Sequence, residues 1–497
     1  MIKIMHIKNR NYTKRTTMLA LALLWFFFSS CSEKEEMPNV IFILTDQWRA
    51  SALGFNGNDI VKTPNLDAFA EEAVNFRNAV SVMPVCTPYR ASLLTGRYPT
   101  TTGMFLNDLY LPSEELTMAE IYQQAGYQTA YLGKWHLDGH GRNKFVDPER
   151  RQGFEFWKGA ECDHDYLHEH YYFNDDTTKR FWDGYSTYSI SDAAQDYLEQ
   201  AIAEPEPFLL FVSLATPHFP HHTAPEEYKA LYNSLDLGLP PNVPAEAREN
   251  ALNELVGYYG HATATDQAIG DLLDKIKELG VFENSIVVFT SDHGEMMGSH
   301  GRPPRMKQQP HIEAANVPFL ISYPDIGANQ GLTAQAAITT PDILPSLLAL
   351  SGIPVPDVIE GYDLSGIIQN PAKDSDRAAL YMNVFPFAIS YPTDEYRAVK
   401  TSKYSYIKTL DGPSMLFDDQ DDPHQMQNLI DDPEYADISS SLDQKLTAEL
   451  ERIGETEIKP RFHYLNKFGY DQTDRFRPDY GFGDYYEPAE VVSPNTF

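Results

Sequence analysis

Short apolar runs alternate along this chain with stretches whose apolar positions recur every three or four residues, the pattern of strands alternating with helices in an α/β protein. Residues 39–45 form the first buried-strand run and end in Asp46-Gln47. Leu66, Phe69, Ala70, Ala73 and Val74 then fall on one face of a predicted helix. Thr117 and Glu120 have the spacing of a capping box for a helix that stops near Gly126. Residues 128–132 read as a strand leading into Gly133-Lys134-Trp135-His136. Residues 208–214 repeat the device, with Thr216-Pro217-His218 at the end. A long helix over about residues 251–279 precedes a strand at 286–290 that delivers Ser291-Asp292-His293-Gly294. Four polar clusters at the ends of predicted strands place a single site along the carboxyl edge of a sheet.

The texture changes after about Pro371. Arg397-Ala398-Val399-Lys400-Thr401 and Tyr404-Ser405-Tyr406-Ile407 alternate as hairpin strands do. The tail, residues 461–497, is rich in aromatics and has no clear period. At the other end, Lys3, Lys8, Arg10, Lys14 and Arg15 precede an apolar run at 19–28 that is too short to span a bilayer, so a signal peptide is expected. The expected division is a signal peptide at 1–30, an acidic tether at 31–37, a catalytic domain at 38–371, a smaller C-terminal subdomain at 372–460 and the tail at 461–497.

Charge narrows the partners. The formal net charge is −32, and removing residues 1–30, which carry five basic and no acidic side chains, leaves −32 − 5 = −37 for the remaining 467 residues. That balance argues against nucleic acid. It would also repel any anionic substrate at long range, so such a substrate would need a local cationic pocket. Of the three cysteines, Cys31 follows Ser29-Ser30 and precedes Ser32-Glu33-Lys34-Glu35-Glu36, Cys86 lies in a motif, and Cys162 is left.

The motif is Cys86-Thr87-Pro88-Tyr89-Arg90 followed by Leu94-Thr95-Gly96-Arg97. It resembles the activation signature of type I sulfatases, in which a Cys-x-Pro-x-Arg cysteine is oxidised to Cα-formylglycine. Gly133-Lys134-x-His136 and Ser291-Asp292-His293-Gly294 extend the resemblance, which runs from about Pro38 to Leu429. It implies an alkaline-phosphatase-like α/β fold: a mixed sheet flanked by helices, with a C-terminal α+β subdomain on an antiparallel sheet. It implies calcium held by Asp46, Gln47, modified residue 86 and Asp292, with His293 where many members carry Asn; Gln47 stands where the usual pair has a second Asp. Oxygen ligands of this kind suit a hard divalent cation. Hydrated residue 86 is then the nucleophile, Asp292 takes its proton, Arg90 and His136 orient its hydroxyls, and Lys134, Lys307 and His218 supply positive charge and the leaving-group proton. Small residues before Cys31 resemble a bacterial lipoprotein signal, and the acidic run after it resembles the tag of surface-exposed Bacteroidetes lipoproteins. The partners implied are a sulfated carbohydrate such as the algal polysaccharide ulvan, a formylglycine-generating maturase, and the outer membrane through lipid on Cys31, with the periplasm as the alternative location.

Two other readings stay open at this point: a phosphodiesterase or phosphonate monoester hydrolase of the same superfamily, and a catalytically silent glycan-binding lipoprotein. Residues 163–170, Asp-His-Asp-Tyr-Leu-His-Glu-His, lack a helical period and read as a substrate-cleft loop, with a second metal site as the alternative. His164, His168 and His170 are its candidate sugar contacts. Arg302 and Arg305 are candidates for holding a carboxylate or a second sulfate, against the default of solvated surface charge.

Overall fold

The computed structural model describes residues 37–373, 375–385 and 395–470. The expected signal peptide, Cys31 and the tail beyond residue 470 lie outside the described residues. Among the described residues no helix is long and apolar enough to cross a membrane.

In chain order the strands are β1 (Asn39–Asp46), β2 (Val74–Phe76), β3 (Ala79–Val80), β4 (Gln128–Lys134), β5 (Phe156–Ala160), β6 (His170–Phe173), β7 (Asp176–Phe181), β8 (Phe208–Pro217), β9 (Ser285–Ser291), β10 (Phe319–Ser322), β11 (Thr333–Ala334), β12 (Ile338–Thr339), β13 (Ala379–Asn383), β14 (Tyr396–Lys400), β15 (Tyr404–Thr409) and β16 (Gly412–Asp418). The main helices are α1 (Pro64–Glu72), α2 (Cys86–Thr95), α3 (Met118–Gln124), α4 (Ser186–Ala201), α5 (Arg248–Glu278), α6 (Thr340–Leu350), α7 (Ala436–Arg452) and α8 (Arg461–Phe468). One mixed sheet has the order β11-β2-β10-β9-β1-β8-β4-β5-β6-β7, and β13 to β16 form a separate antiparallel sheet in sequence order.

The five central strands run parallel. Parallel strands need both faces covered, and the sequence supplies both coverings by alternation. Ile41, Ile43, Leu210, Val212, Val287 and Phe289 join a core with residues of α1, α4 and α5. On the opposite face Phe42 stacks on Phe211 at 4.9 Å, Phe211 on Tyr131 at 5.1 Å and Tyr131 on Trp157 at 5.2 Å.

Register then places the site. Thr45 pairs with Ser291 on one side and Leu214 on the other, so Asp46, Asp292 and His218 all leave the sheet at the same edge. Gly133 lies opposite Ser213 on β8, with φ +98°, and a Cβ there would lie 2.0 Å from the Ser213 carbonyl oxygen. Only glycine lets β4 run this close to its neighbour while turning toward Lys134.

One expectation needs correction. Ala73 and Val74 do not continue α1: the helix ends at Glu72, Ala73 is extended, and β-branched Val74 opens β2. The first residues of the tail, where no period was legible, form α8, which presents Tyr464 and Phe468, and with Tyr470 they pack on Phe105 at ring-centroid distances of 5.7, 6.2 and 5.6 Å. Thr117 and Glu120 do form the capping box of α3.

Candidate active site

Cys86 is the first residue of α2; Val85 before it is extended, and Pro88 sits in the first turn, where a missing N–H is tolerated. Arg90 follows one helical turn later, and i,i+4 spacing puts it on the same face as Cys86. Every residue of this helix is buried. The four strand ends close around that face.

The Cys86 Sγ lies 3.3 Å from the Lys307 Nζ and 3.9 Å from the Lys134 Nζ. It is 3.3 Å from the His293 Nε2 and 3.7 Å from an Asp46 carboxylate oxygen. Lys134 donates to Asp46 at 2.7 Å. Arg90 bridges the two acids, 3.4 Å from Asp46 and 3.3 Å from Asp292, and is itself held by the Lys134 carbonyl and the Ser213 hydroxyl, both at 2.8 Å. Lys307 reaches the Nε2 atoms of His218 and His293, each at 3.2 Å. Both imidazoles place Nδ1 on a backbone carbonyl, that of Phe219 at 2.7 Å and of Gly294 at 3.0 Å. A carbonyl can only accept, so Nδ1 carries the proton and each Nε2 offers a lone pair to the cage.

Ligand atoms of Asp46, Cys86, Asp292 and His293 all lie within 4.8 Å of one another, so the cluster is able to hold a metal ion. Gln47 supplies an independent sign. Its amide nitrogen donates to Glu295 while its Oε1 is buried with no hydrogen-bond partner, and its backbone is left-handed with φ 62°. An orphaned buried oxygen beside two carboxylates is costly unless something binds it. These residues fit a hard divalent cation.

Electrostatics follow from this crowding. Burial and the Asp46 charge push the Cys86 thiol up, but Lys134, Lys307 and a hydrogen bond from His136 outweigh them and bring it down to about 6. Burial, with Asp46 beside it, raises Asp292 to about 6. For Asp46 burial also opposes ionisation, yet Lys134 and the surrounding cationic groups hold it well below the usual carboxylate range. Burial and Lys307 keep His218 well below the ordinary imidazole value. The acids therefore divide into one held ionised and one close to neutrality.

Asp46, Gln47, Cys86, Arg90, Lys134, His136, His218, Asp292, His293 and Lys307 thus come together. The rim candidates separate. His164 stacks on His218 at 4.7 Å and an interplanar angle of 11°. His168 stacks on the exposed Phe181 at 4.1 Å, farther along the same loop. His170 is buried and bonded through Nδ1 to Asp163, so it closes the loop rather than facing solvent. Arg305 pairs with Glu254 at 2.7 Å and lies over the Phe219 ring at 5.6 Å, next to His218. Arg302 lies within electrostatic reach of His311.

Several residues were missed by sequence reasoning. Asp108 accepts a hydrogen bond from His136 at 2.8 Å, and Arg142 pairs with Asp108 at 2.9 Å. Glu295 holds Gln47, and the Tyr166 hydroxyl donates to the Phe219 carbonyl at 3.0 Å. Ser213 carried a signal, being polar inside the otherwise apolar run of β8.

The family model Sulfatase matches residues 38–353, and the model N-sulphoglucosamine sulphohydrolase, C-terminal matches residues 306–452. The chain is 54% identical over 467 residues to an ulvan-active sulfatase of Formosa agariphila, covering 92% of this chain and 91% of that one. It is 30% identical over 468 residues to an endo-4-O-sulfatase of Bacteroides thetaiotaomicron, covering 80% and 89%. The crystal structure of the protein yidJ from Bacteroides fragilis superposes with a TM-score of 0.77 at 28% identity, covering 88% of this chain and 99% of that one. With the motif cysteine, the cationic cage and the paired acids in place, the chain belongs to the sulfatase family and hydrolyses sulfate esters.

Proposed function

We propose that this sulfatase removes sulfate from a sulfated carbohydrate, that its substrate is ulvan or an oligosaccharide derived from it, and that it works with calcium and with Cys86 converted to formylglycine. The observation that carries the catalytic part is the setting of Cys86, a buried thiol ringed by Lys134, Lys307 and Arg90 with two carboxylates and an orphaned amide oxygen beside it. The polymer rests on likeness to the ulvan-active relative. Hydrated formylglycine would supply an oxygen nucleophile at position 86, and calcium on Asp46, Gln47, Asp292 and His293 would offset the charge of the sulfate.

The chain's own groups do the rest. Lys134, Arg90 and Lys307 hold the sulfate oxygens by charge in a site from which bulk water is largely excluded. Asp292, with a carboxylate oxygen within 4.8 Å of the Cys86 Sγ, is placed to take a proton from an oxygen at position 86. Lys307, hydrogen-bonded to the bare Nε2 of His218, holds the proton that the departing alcohol oxygen requires. His164 and Arg305, flanking His218 and Phe219, are the nearest rim groups for a sugar ring, with His168, Arg302 and the buried His170 farther from that role.

The apolar run ending at Ser29-Ser30-Cys31 supports export as a lipoprotein anchored through Cys31, facing the cell surface, with periplasmic residence as the alternative; modification of Cys86 then calls for a maturase in the host. The test is sulfate release from a panel of sulfated oligosaccharides by enzyme produced with a maturase, alongside aryl phosphate. Release from ulvan fragments is expected. Release only from other sulfated glycans would overturn the substrate, and turnover of aryl phosphate alone would overturn the sulfate chemistry.

A further inference from the structure

The helix that Cys86 opens does not cap itself. The first N–H groups of a helix have no partner inside it. At the start of α2, Val85 donates to the Met83 carbonyl at 2.6 Å, Pro88 has no N–H, and the first bond of the helix runs from Tyr89 to the Val85 carbonyl at 3.1 Å. That leaves Cys86 and Thr87. The second N–H of a helix is ordinarily taken by the side chain of its N-cap, but here the N-cap is Val85, which is apolar and makes no such bond. Asn107 takes its place from a loop 20 residues away, its Oδ1 accepting the Thr87 N–H at 3.3 Å. The loop is tied to Thr87 a second time, because the Thr87 hydroxyl accepts the Asp108 N–H at 3.1 Å. Phe105, in the same loop, is buried with Tyr464 and Phe468 of α8 and with Tyr470 around its ring, at centroid distances of 5.7, 6.2 and 5.6 Å. The Tyr470 hydroxyl donates to the Gly103 carbonyl at 2.9 Å and the Lys467 ammonium to the Thr100 carbonyl at 3.1 Å. Gly103 is left-handed at φ +83°, and a Cβ there would lie 2.8 Å from the Phe468 ring, so only glycine lets the two segments fit this closely.

We propose that Asn107 is a positioning residue for residue 86, capping α2 from outside the helix, and that α8 holds Asn107 in place through Phe105. An acceptor on the second N–H fixes where a helix begins, and residue 86 is the first residue of this one. Asn107 thus sets the position of the attacking group without touching substrate. Its own position depends on the packing of Phe105, two residues before it, so a helix formed by residues 461–468 reaches the reacting group through three side chains, Phe468, Phe105 and Asn107. This extension rests on the reading that residue 86 carries the nucleophile.

The test has two arms. In full-length protein with Cys86 unmodified, amide hydrogen exchange over the first turn of α2 should be faster by roughly five- to tenfold in Asn107→Leu, the scale of a lost cap, and close to wild type in Asn107→Asp, which keeps the acceptor. This arm needs no turnover, so its failure is separate from a failure of the sulfatase reading. In matured enzyme acting on an aryl sulfate, with kcat counted per formylglycine from the mass of the residue-86 peptide, Asn107→Leu should lower kcat by roughly 10- to 100-fold and change KM by less than about threefold, as for a misplaced reacting group. Asn107→Asp loses only the amide that Asp108 accepts, and its kcat should stay within about fivefold of wild type. Phe468→Ala should lower kcat several-fold and cost nothing further in the Asn107→Leu background. An unchanged kcat in Asn107→Leu, or an Asn107→Asp enzyme as impaired as Asn107→Leu, would overturn the proposal. So would fully additive losses from Asn107→Leu and Phe468→Ala, or a lowered melting temperature with exchange at the start of α2 unaltered.

Discussion

Cys86 and Cys162 are equally buried, yet their surroundings push them in opposite directions. The thiol of Cys86 is lowered to about 6, while that of Cys162 is raised to about 11. Burial opposes the thiolate at both. What differs is distance to charge. Cys86 has Lys307 at 3.3 Å and Lys134 at 3.9 Å, whereas the nearest polar partner of Cys162 is the ring of His164 at 3.7 Å. Seclusion from water therefore does not mark a functional cysteine; the counter-charges arranged around it do. The cage that would stabilise a thiolate also suits the oxyanions of a sulfate ester, and it does so inside a chain whose net charge is −32.

The contrast is broken most severely by exchanging the cysteines' fates. Cys86→Ser, made without a serine-accepting maturase, should abolish turnover, whereas Cys162→Ala should leave kcat/KM within about threefold and cost about 1 kcal/mol for the lost buried volume. Steady-state kinetics on an aryl sulfate and a denaturation curve check both. Next in size are the charges. Lys134→Ala or Lys307→Ala should each lower kcat by roughly 10²–10³-fold, as for loss of a donor to a developing oxyanion, on every sulfate ester. Asp292→Ala or chelation should abolish turnover, with activity after chelation restored by calcium; zinc bound stoichiometrically to active protein would overturn the calcium assignment.

A smaller effect separates the cysteines by pH in protein with Cys86 unmodified and metal removed. The Cys86 thiol is lowered from 9.0 to about 6 by its fold, so the stability it adds should be complete above about pH 9 and lost as pH falls to 6. Cys162 has the opposite sign. Raised from 9.0 to about 11, it should cost stability as pH rises above 9. Melting temperatures across pH, each referred to the Cys86→Ser or Cys162→Ala variant, read the two slopes; slopes of the same sign would contradict the comparison. Smallest is the rim: Arg305→Ala should weaken turnover of an oligosaccharide by several-fold and leave a small aryl sulfate unaffected, with Arg302→Ala doing less.

How far the sequence revealed the site follows from where each residue sits. Asp46, His218 and Asp292 were legible because each ends a strand, and strands are read from apolar runs whose register brings their ends together. Cys86 and Arg90 were legible because a motif fixes their spacing on one helix. Asp108 and Arg142 were not, since they reach His136 from loops whose path depends on tertiary contacts such as the Thr87 bonds. The loop at 163–170 was recognised as irregular, but its sequence did not tell His164, stacked on His218, from His170, buried against Asp163. The helix α8 was hidden because its apolar face is aromatic and short, and it is fixed by Phe105 far away in the chain.

The most direct test of the account is the mass of the peptide spanning Cys86, measured together with sulfate release, in protein produced with and without a formylglycine-generating maturase. The account predicts that the peptide loses the mass difference of one SH2-to-O exchange only in matured protein, and that turnover rises in proportion to the fraction converted. Full sulfatase activity from protein whose Cys86 is entirely unmodified would contradict it.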